Sequence, residues 1–215
     1  MLIFTKKVLS KMKLQSILKI DYLSLFFMTV FTAFSIVNKE ISVFYIIYLF
    51  WFHEFLRNSI KIGFYLFKKE KIAFPEVYLK TIKSKSFILF VYFIFIFIFF
   101  GLMLDWENTD LIMINFEVLM FKNTLFNLTT ALFLARELMS YYNNELEKNY
   151  KNVFLSNGVI ILHISIILGM LIWGFLPKSI YENNSSNILS AIVIAPFLIL
   201  KLFFEIVGIN HHLKK

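Results

Sequence analysis

The chain has 215 residues, of which 59% are hydrophobic and only 17% charged, against roughly 25% charged residues in a typical globular domain. A soluble domain of this size has too much surface for its volume to hide that much apolar area, so a soluble globular fold is excluded. The zero count of cysteine excludes disulfides, thiolate metal sites, iron–sulfur clusters, covalently attached haem and a thiol nucleophile. The formal charge of +8 does not point to nucleic acid, because the lysines lie between apolar runs, the pattern of membrane proteins that obey the positive-inside rule.

The composition and run lengths predict an all-α polytopic transmembrane helical bundle. Residues 1–20 interleave Lys6, Lys7, Lys11, Lys13 and Lys19 with apolar residues. That mixture suits an interfacial amphipathic helix on the anionic inner leaflet, and no small-residue cleavage site follows it. Apolar runs then recur at 21–37, 41–60, 86–104, 113–135, 153–176 and 188–207, each near the ~20 residues that a hydrocarbon core requires. Residues 61–85 read as a basic cytoplasmic loop and 210–215 as a cytoplasmic tail. Glu117 and Lys122 interrupt the fourth run. An alternative therefore lays residues 106–118 along the membrane surface, with the span beginning near Asn123.

With the N-terminus inside, eighteen of the 22 Lys and Arg residues fall on inner segments and two, Lys39 and Lys178, on outer ones. The expected location is the bacterial cytoplasmic membrane, with both termini cytoplasmic. The acidic segment Asp105-Trp106-Glu107 faces outward, its Trp at the depth of an interfacial anchor. The loops are too short to hold a soluble catalytic domain.

Small residues mark helix-packing faces. Gly158, Ser165 and Gly169 share one face of the fifth run, and Ala191 and Ala195 share one of the sixth. Ionisable residues inside the spans are the candidate site, since each costs about 2.5–3.5 kcal/mol at a helix centre. Glu54, Arg57, Asn58 and Lys61 fall at i, i+3, i+4 and i+7, on one face, with His53 turned about 100° away. The simplest role for Arg57, Lys61 and Lys201 is snorkelling to the interface. His163 falls near the midplane of the fifth run, and Lys201 and Glu205 pair at i, i+4 near the inner end of the sixth. His211 and His212 follow at the interface.

No metalloprotease His pair, phosphate-binding glycine loop or nucleophile elbow is present. The segment Tyr48-Leu49-Phe50-Trp51-Phe52-His53-Glu54 resembles the Tyr-Trp-x-Glu-Asn region of an uncharacterised bacterial and archaeal polytopic membrane protein family, DUF6498. The run from Val159 through His163 to Gly169 is similar to its Leu-His-x-x-x-Ile-Leu-Gly segment, and Lys201, Glu205 and His211 to its closing Lys-x-x-x-Asp…His. The resemblance implies that Glu54, His163, Lys201, Glu205 and a C-terminal His occupy the family's polar positions. Residues 86–104 lack the family's third-span His, and Asn157-Gly158 stands where it carries Arg.

Three functions stay open. One is a buried site of His53, Glu54, Arg57, Asn58, His163, Lys201 and Glu205 that relays protons or binds a divalent metal, with Glu54, His163, Glu205, His211 and His212 as the ligand candidates. Another is a small transporter or channel, which a homo-oligomer would suit. The last is a non-enzymatic membrane sensor or subunit whose polar residues only tie helices together.

Overall fold

The computed structural model describes residues 42–72, 74–104, 106–142 and 157–175, with parts of 22–34 and 195–207. Among these residues every regular element is helical. Helix α1 is Val43–Lys68, followed by a short 3-10 turn at Lys69–Lys71; α2 is Pro75–Phe95, continuing as a π-helical segment Ile96–Met103. Helix α3 is Thr109–Leu119, α4 is Thr124–Tyr142 and α5 is Asn157–Phe175. The described parts of 22–34 and 195–207, within the first and sixth expected spans, are helical too. The N-terminal segment 1–20 and the tail 210–215 lie outside the described residues.

Two helical stretches are long and apolar enough to cross a membrane: Pro75–Met103, and Thr109–Met139, which is interrupted at Met120–Asn123. The organising element is a different one, α1. Nine consecutive residues, Val43 to Trp51, are each at most 8% exposed. Two and a half turns buried on every face put this helix at the centre of the bundle, where apolar residues all round are required. Helices α2, α4 and α5, the π-helical segment and α3 all pack against it.

Its residues pack as a staircase of rings: Phe44 stacks on Tyr48 at 5.3 Å, Tyr48 on Trp51 at 5.5 Å and Trp51 on Phe55 at 5.3 Å. The spacings of 4, 3 and 4 residues are those that bring side chains together along one helix face. Neighbours interlock with this staircase. Trp51 meets Phe93 of α2 at 4.9 Å and Tyr48 stacks on Phe126 of α4 at 5.5 Å. A buried indole N–H needs an acceptor, and Trp51 Nε1 donates to the Leu89 carbonyl at 2.7 Å.

The contacts give each helix a direction. Along α2, Gly101 faces Phe44, Leu89 faces Trp51 and Tyr78 reaches Lys61, so α2 is antiparallel to α1. Along α4, Phe126 packs on Tyr45 and Glu137 pairs with Arg57, so α4 runs parallel to it. On α5, Gly158 abuts Glu54 and Gly169 abuts Ile47, which makes α5 antiparallel. The glycine face read from the sequence thus packs on α1. An added Cβ at Gly169 would come within 2.6 Å of the Phe100 ring, and one at Gly158 would overlap the Glu54 carboxylate. Ser165, between them, is fully buried.

Two boundaries differ from the sequence reading. Residues 61–85 are not an irregular loop: α1 continues to Lys68, and α2 begins at Pro75. No residue between Lys61 and Lys68 forces the helix to end, whereas proline fits a first helical turn and opens α2. The fourth run is not one continuous helix. The chain bends at Met120–Asn123, where Phe121 takes a φ of 57°, and Asn123 caps α4 by accepting from Phe126 N at 2.8 Å. Helix α3 ends at Leu119 and α4 begins at Thr124, so the second helix starts near Asn123, where the alternative set the start of the span. Asn127 Nδ2 donates to the Phe121 carbonyl at 2.6 Å, and the Phe121 ring packs on Phe52 at 5.2 Å, which holds the unfavourable backbone in place. Glu117 and Lys122 are exposed beside this bend.

Candidate functional site: a buried charge cluster

At one end of the α1 aromatic staircase, the polar face of α1 meets charges from two other helices. Glu54, 3% exposed, is bridged by two cations: Arg57 donates to one carboxylate oxygen, and Lys85 Nζ of α2 donates to the other at 2.7 Å. Arg57 then reaches across to α4, donating through Nη2 to Glu137 Oε1 at 2.8 Å. Arg136 of α4 lies 3.5 Å from the same oxygen. The chain of pairs is Lys85–Glu54–Arg57–Glu137–Arg136, three cations and two carboxylates from three helices. Lys85, Arg136 and Glu137 are each 8% exposed or less, and only the Arg57 side chain, at 25%, reaches the surface.

Apolar and neutral groups build the walls. Phe133 of α4 is a platform: His53 stacks on it at 3.9 Å, while the Arg57 and Arg136 guanidinium groups lie 5.3 and 5.2 Å from its centroid. The planar guanidinium suits this combination of ion pairing and ring stacking. Asn58 Nδ2 donates to Ser86 Oγ of α2 at 2.8 Å. On the fourth side Gly158 of α5 presses against Glu54, because any larger residue would fill the carboxylate's space.

Of the residues expected to form a site, Glu54, Arg57 and Asn58 are together. His53 shares a neighbour with that face after all: it stacks on Phe133, the ring that Arg57 and Arg136 also lie over, and so borders the cluster. Arg57 does not snorkel: it points inward and ties two carboxylates. His163 instead lies on an exposed part of α5, its Nδ1 2.9 Å from the Tyr92 hydroxyl. Lys201, Glu205, His211, His212 and Ala191 lie outside the described residues, and Ala195 is half-buried. Among the described residues, no group of three or more His, Asp or Glu side chains is placed to hold a metal ion.

No family model, curated protein or solved structure matches this chain.

The sequence reading missed Lys85, Arg136 and Glu137, which it treated as cytoplasmic charge or passed over. A signal for Lys85 was present. Tyr78, Ile82, Lys85, Leu89, Ile96 and Phe100 are all buried and recur at steps of three, four or seven residues, so a lysine occupies a seam position. The same holds on α4, where Phe126, Thr129, Phe133, Arg136 and Glu137 share a buried stripe.

A second polar group lies at the N-terminus of α1, beyond the far end of the aromatic staircase, and is uncharged. Ser42 caps α1 by accepting from Tyr45 N at 3.0 Å and donates to Asn115 Oδ1 at 2.6 Å. Asn115 Nδ2 in turn donates to the Gly101 carbonyl at 3.3 Å, in the π-helical segment. This arrangement closes α1, α2 and α3 together with neutral hydrogen bonds.

Proposed function

We propose that this chain is a multi-pass integral membrane protein with both termini in the cytoplasm, and that Lys85–Glu54–Arg57–Glu137 is an electrostatic clasp holding the inner half of its bundle together. The protein then acts as a non-enzymatic membrane component, a sensor or a subunit of a larger assembly. Alternating helix directions around α1 support the multi-pass reading, and so do the two stretches with spanning length.

The observation that carries the clasp is the occupancy of Glu54: each oxygen already holds a cationic donor. A metal ion would have to displace Lys85 or Arg57, and His163 is occupied with Tyr92 on an exposed face. That arrangement favours a tie over a metal centre. Transport is the second reading, and one observation favours it. Arg57 is shared between Glu54 and Glu137 and is partly exposed, and a shared cation can exchange partners when an ion or the opposite helix arrangement competes for it.

The test uses the full chain in proteoliposomes. A clasp predicts that Glu54→Leu alone unfolds the protein at lower denaturant, while Glu54→Leu with Lys85→Leu restores most of the loss, because Arg57 keeps Glu137. Proton or anion flux above that of empty vesicles, abolished by Arg57→Leu in a folded variant, would establish transport and remove the clasp-only reading.

A further inference from the structure

We propose that the hairpin tip formed by the end of α1 and the start of α2 binds the anionic phospholipid headgroups of the inner leaflet. The inference rests on the membrane reading above and adds a partner of defined chemistry.

Length sets the depth. Helix α1 has 26 residues, about 39 Å at ~1.5 Å per residue, whereas a hydrocarbon core is about 30 Å thick. With Val43 at the outer boundary, the last turns of α1 emerge at the inner headgroup layer. The side chains there are of two kinds. Leu66, Phe67 and Phe74 are 69%, 88% and 72% exposed, more than core packing of this bundle explains. Lys68 and Lys69 lie beside them, exposed, and residues 66–80, which form the tip, hold four lysines against two glutamates. Bulky apolar groups next to ammonium groups, at the boundary between acyl chains and headgroups, match the two-part chemistry of an anionic lipid surface.

The tip is a built platform. Tyr65 stacks on Tyr78 across the hairpin at 6.1 Å, and Tyr78, 4% exposed, donates its hydroxyl to the Lys61 carbonyl at 3.3 Å. Ile72 N closes the turn onto the Lys69 carbonyl at 3.1 Å. Lys68 Nζ lies 5.8 Å from the Phe64 ring and Lys69 Nζ 5.7 Å from that of Tyr65, which holds both ammonium groups close to the apolar patch. A zwitterionic surface offers the same acyl boundary without net charge for these lysines, so the anionic leaflet is the matching occupant.

The absence of cysteine makes the test direct. Full-length protein carrying Phe67→Cys, and separately Phe90→Cys in the middle of α2, is labelled with an environment-sensitive fluorophore. It is then reconstituted in phosphatidylcholine with increasing phosphatidylglycerol. The Phe67 probe is expected to shift to the blue as phosphatidylglycerol rises, and high salt should reverse the shift. Lys68→Gln and Lys69→Gln should each raise the phosphatidylglycerol fraction at half-shift about fivefold, the factor for about 1 kcal/mol per surface lysine. The Phe90 probe should be blue-shifted in every lipid. A Phe90 probe in a water-like environment would overturn the membrane reading and this inference with it. A blue-shifted Phe90 probe with a Phe67 probe indifferent to phosphatidylglycerol would overturn the lipid site alone; Leu66→Cys repeats the measurement at a second exposed position.

Discussion

Two polar layers on α1, one at its N-terminal end and one at its middle, solve the same problem with different chemistry. At the neutral end, Ser42, Asn115 and the Gly101 carbonyl join three elements by neutral hydrogen bonds. At the charged end of the aromatic staircase, Lys85, Glu54, Arg57, Glu137 and Arg136 join three elements by ion pairs. A neutral hydrogen bond contributes about 1 kcal/mol net, and stranding one buried neutral partner costs about 1–3 kcal/mol. A buried ion pair contributes little compared with apolar packing but is costly to break, because the surviving charge stays in a low-dielectric interior. The charged end is therefore the more brittle one, and it specifies which helices meet more strictly than it stabilises them.

The largest test of that contrast is Glu54→Leu, expected to cost about 3–5 kcal/mol in reversible unfolding from detergent, with the Glu54→Leu/Lys85→Leu double variant recovering most of it. If the single variant costs no more than a neutral deletion, the two ends are equivalent and the contrast fails. Next, Gly158→Ala should cost about 1–3 kcal/mol from overpacking on the carboxylate. That cost should shrink in a Glu54→Ala background, which a double-mutant cycle would read as coupling. At the neutral end, Asn115→Ala is expected to cost about 2 kcal/mol, since it strands the Gly101 carbonyl and removes the Ser42 partner. The smallest effect is Trp51→Phe, about 1 kcal/mol for the lost N–H to the Leu89 carbonyl. Its ring face still packs on Phe93, and a thermal unfolding series in one detergent would rank all four.

Much of the fold was legible in one dimension because the relevant signals are local. The spacing of Gly158, Ser165 and Gly169 marks a close-approach face whatever it packs on, and the structure supplies α1 as its neighbour. The Glu117–Lys122 interruption announced the bend at Met120–Asn123, although only the backbone at Phe121 decides that α3 and α4 are separate helices. The hairpin at 69–74 was harder to see. High lysine content reads as a loop, yet long lysine side chains tolerate a helix well, and only Pro75 marks the restart.

The candidate site was half legible. Glu54, Arg57 and Asn58 share a face by helix periodicity alone, so their grouping needs no tertiary information. Lys85 and Glu137 entered from 31 and 80 residues away, through the antiparallel α2 and the parallel α4. Sidedness statistics treat such charges as cytoplasmic, because counting cannot separate a lysine in water from one at a buried seam.

By itself the sequence determined the helical class of the fold and the faces along each helix. Both follow from composition and from a 3.6-residue period that acts within a single element. The tertiary structure alone decided that the charged helix α1 lies at the centre, that its carboxylate is shared by an arginine of its own turn and a lysine of its neighbour, and that His163 turns to Tyr92. Those outcomes depend on which faces meet, and the partners that decide it are dozens of residues apart in the chain.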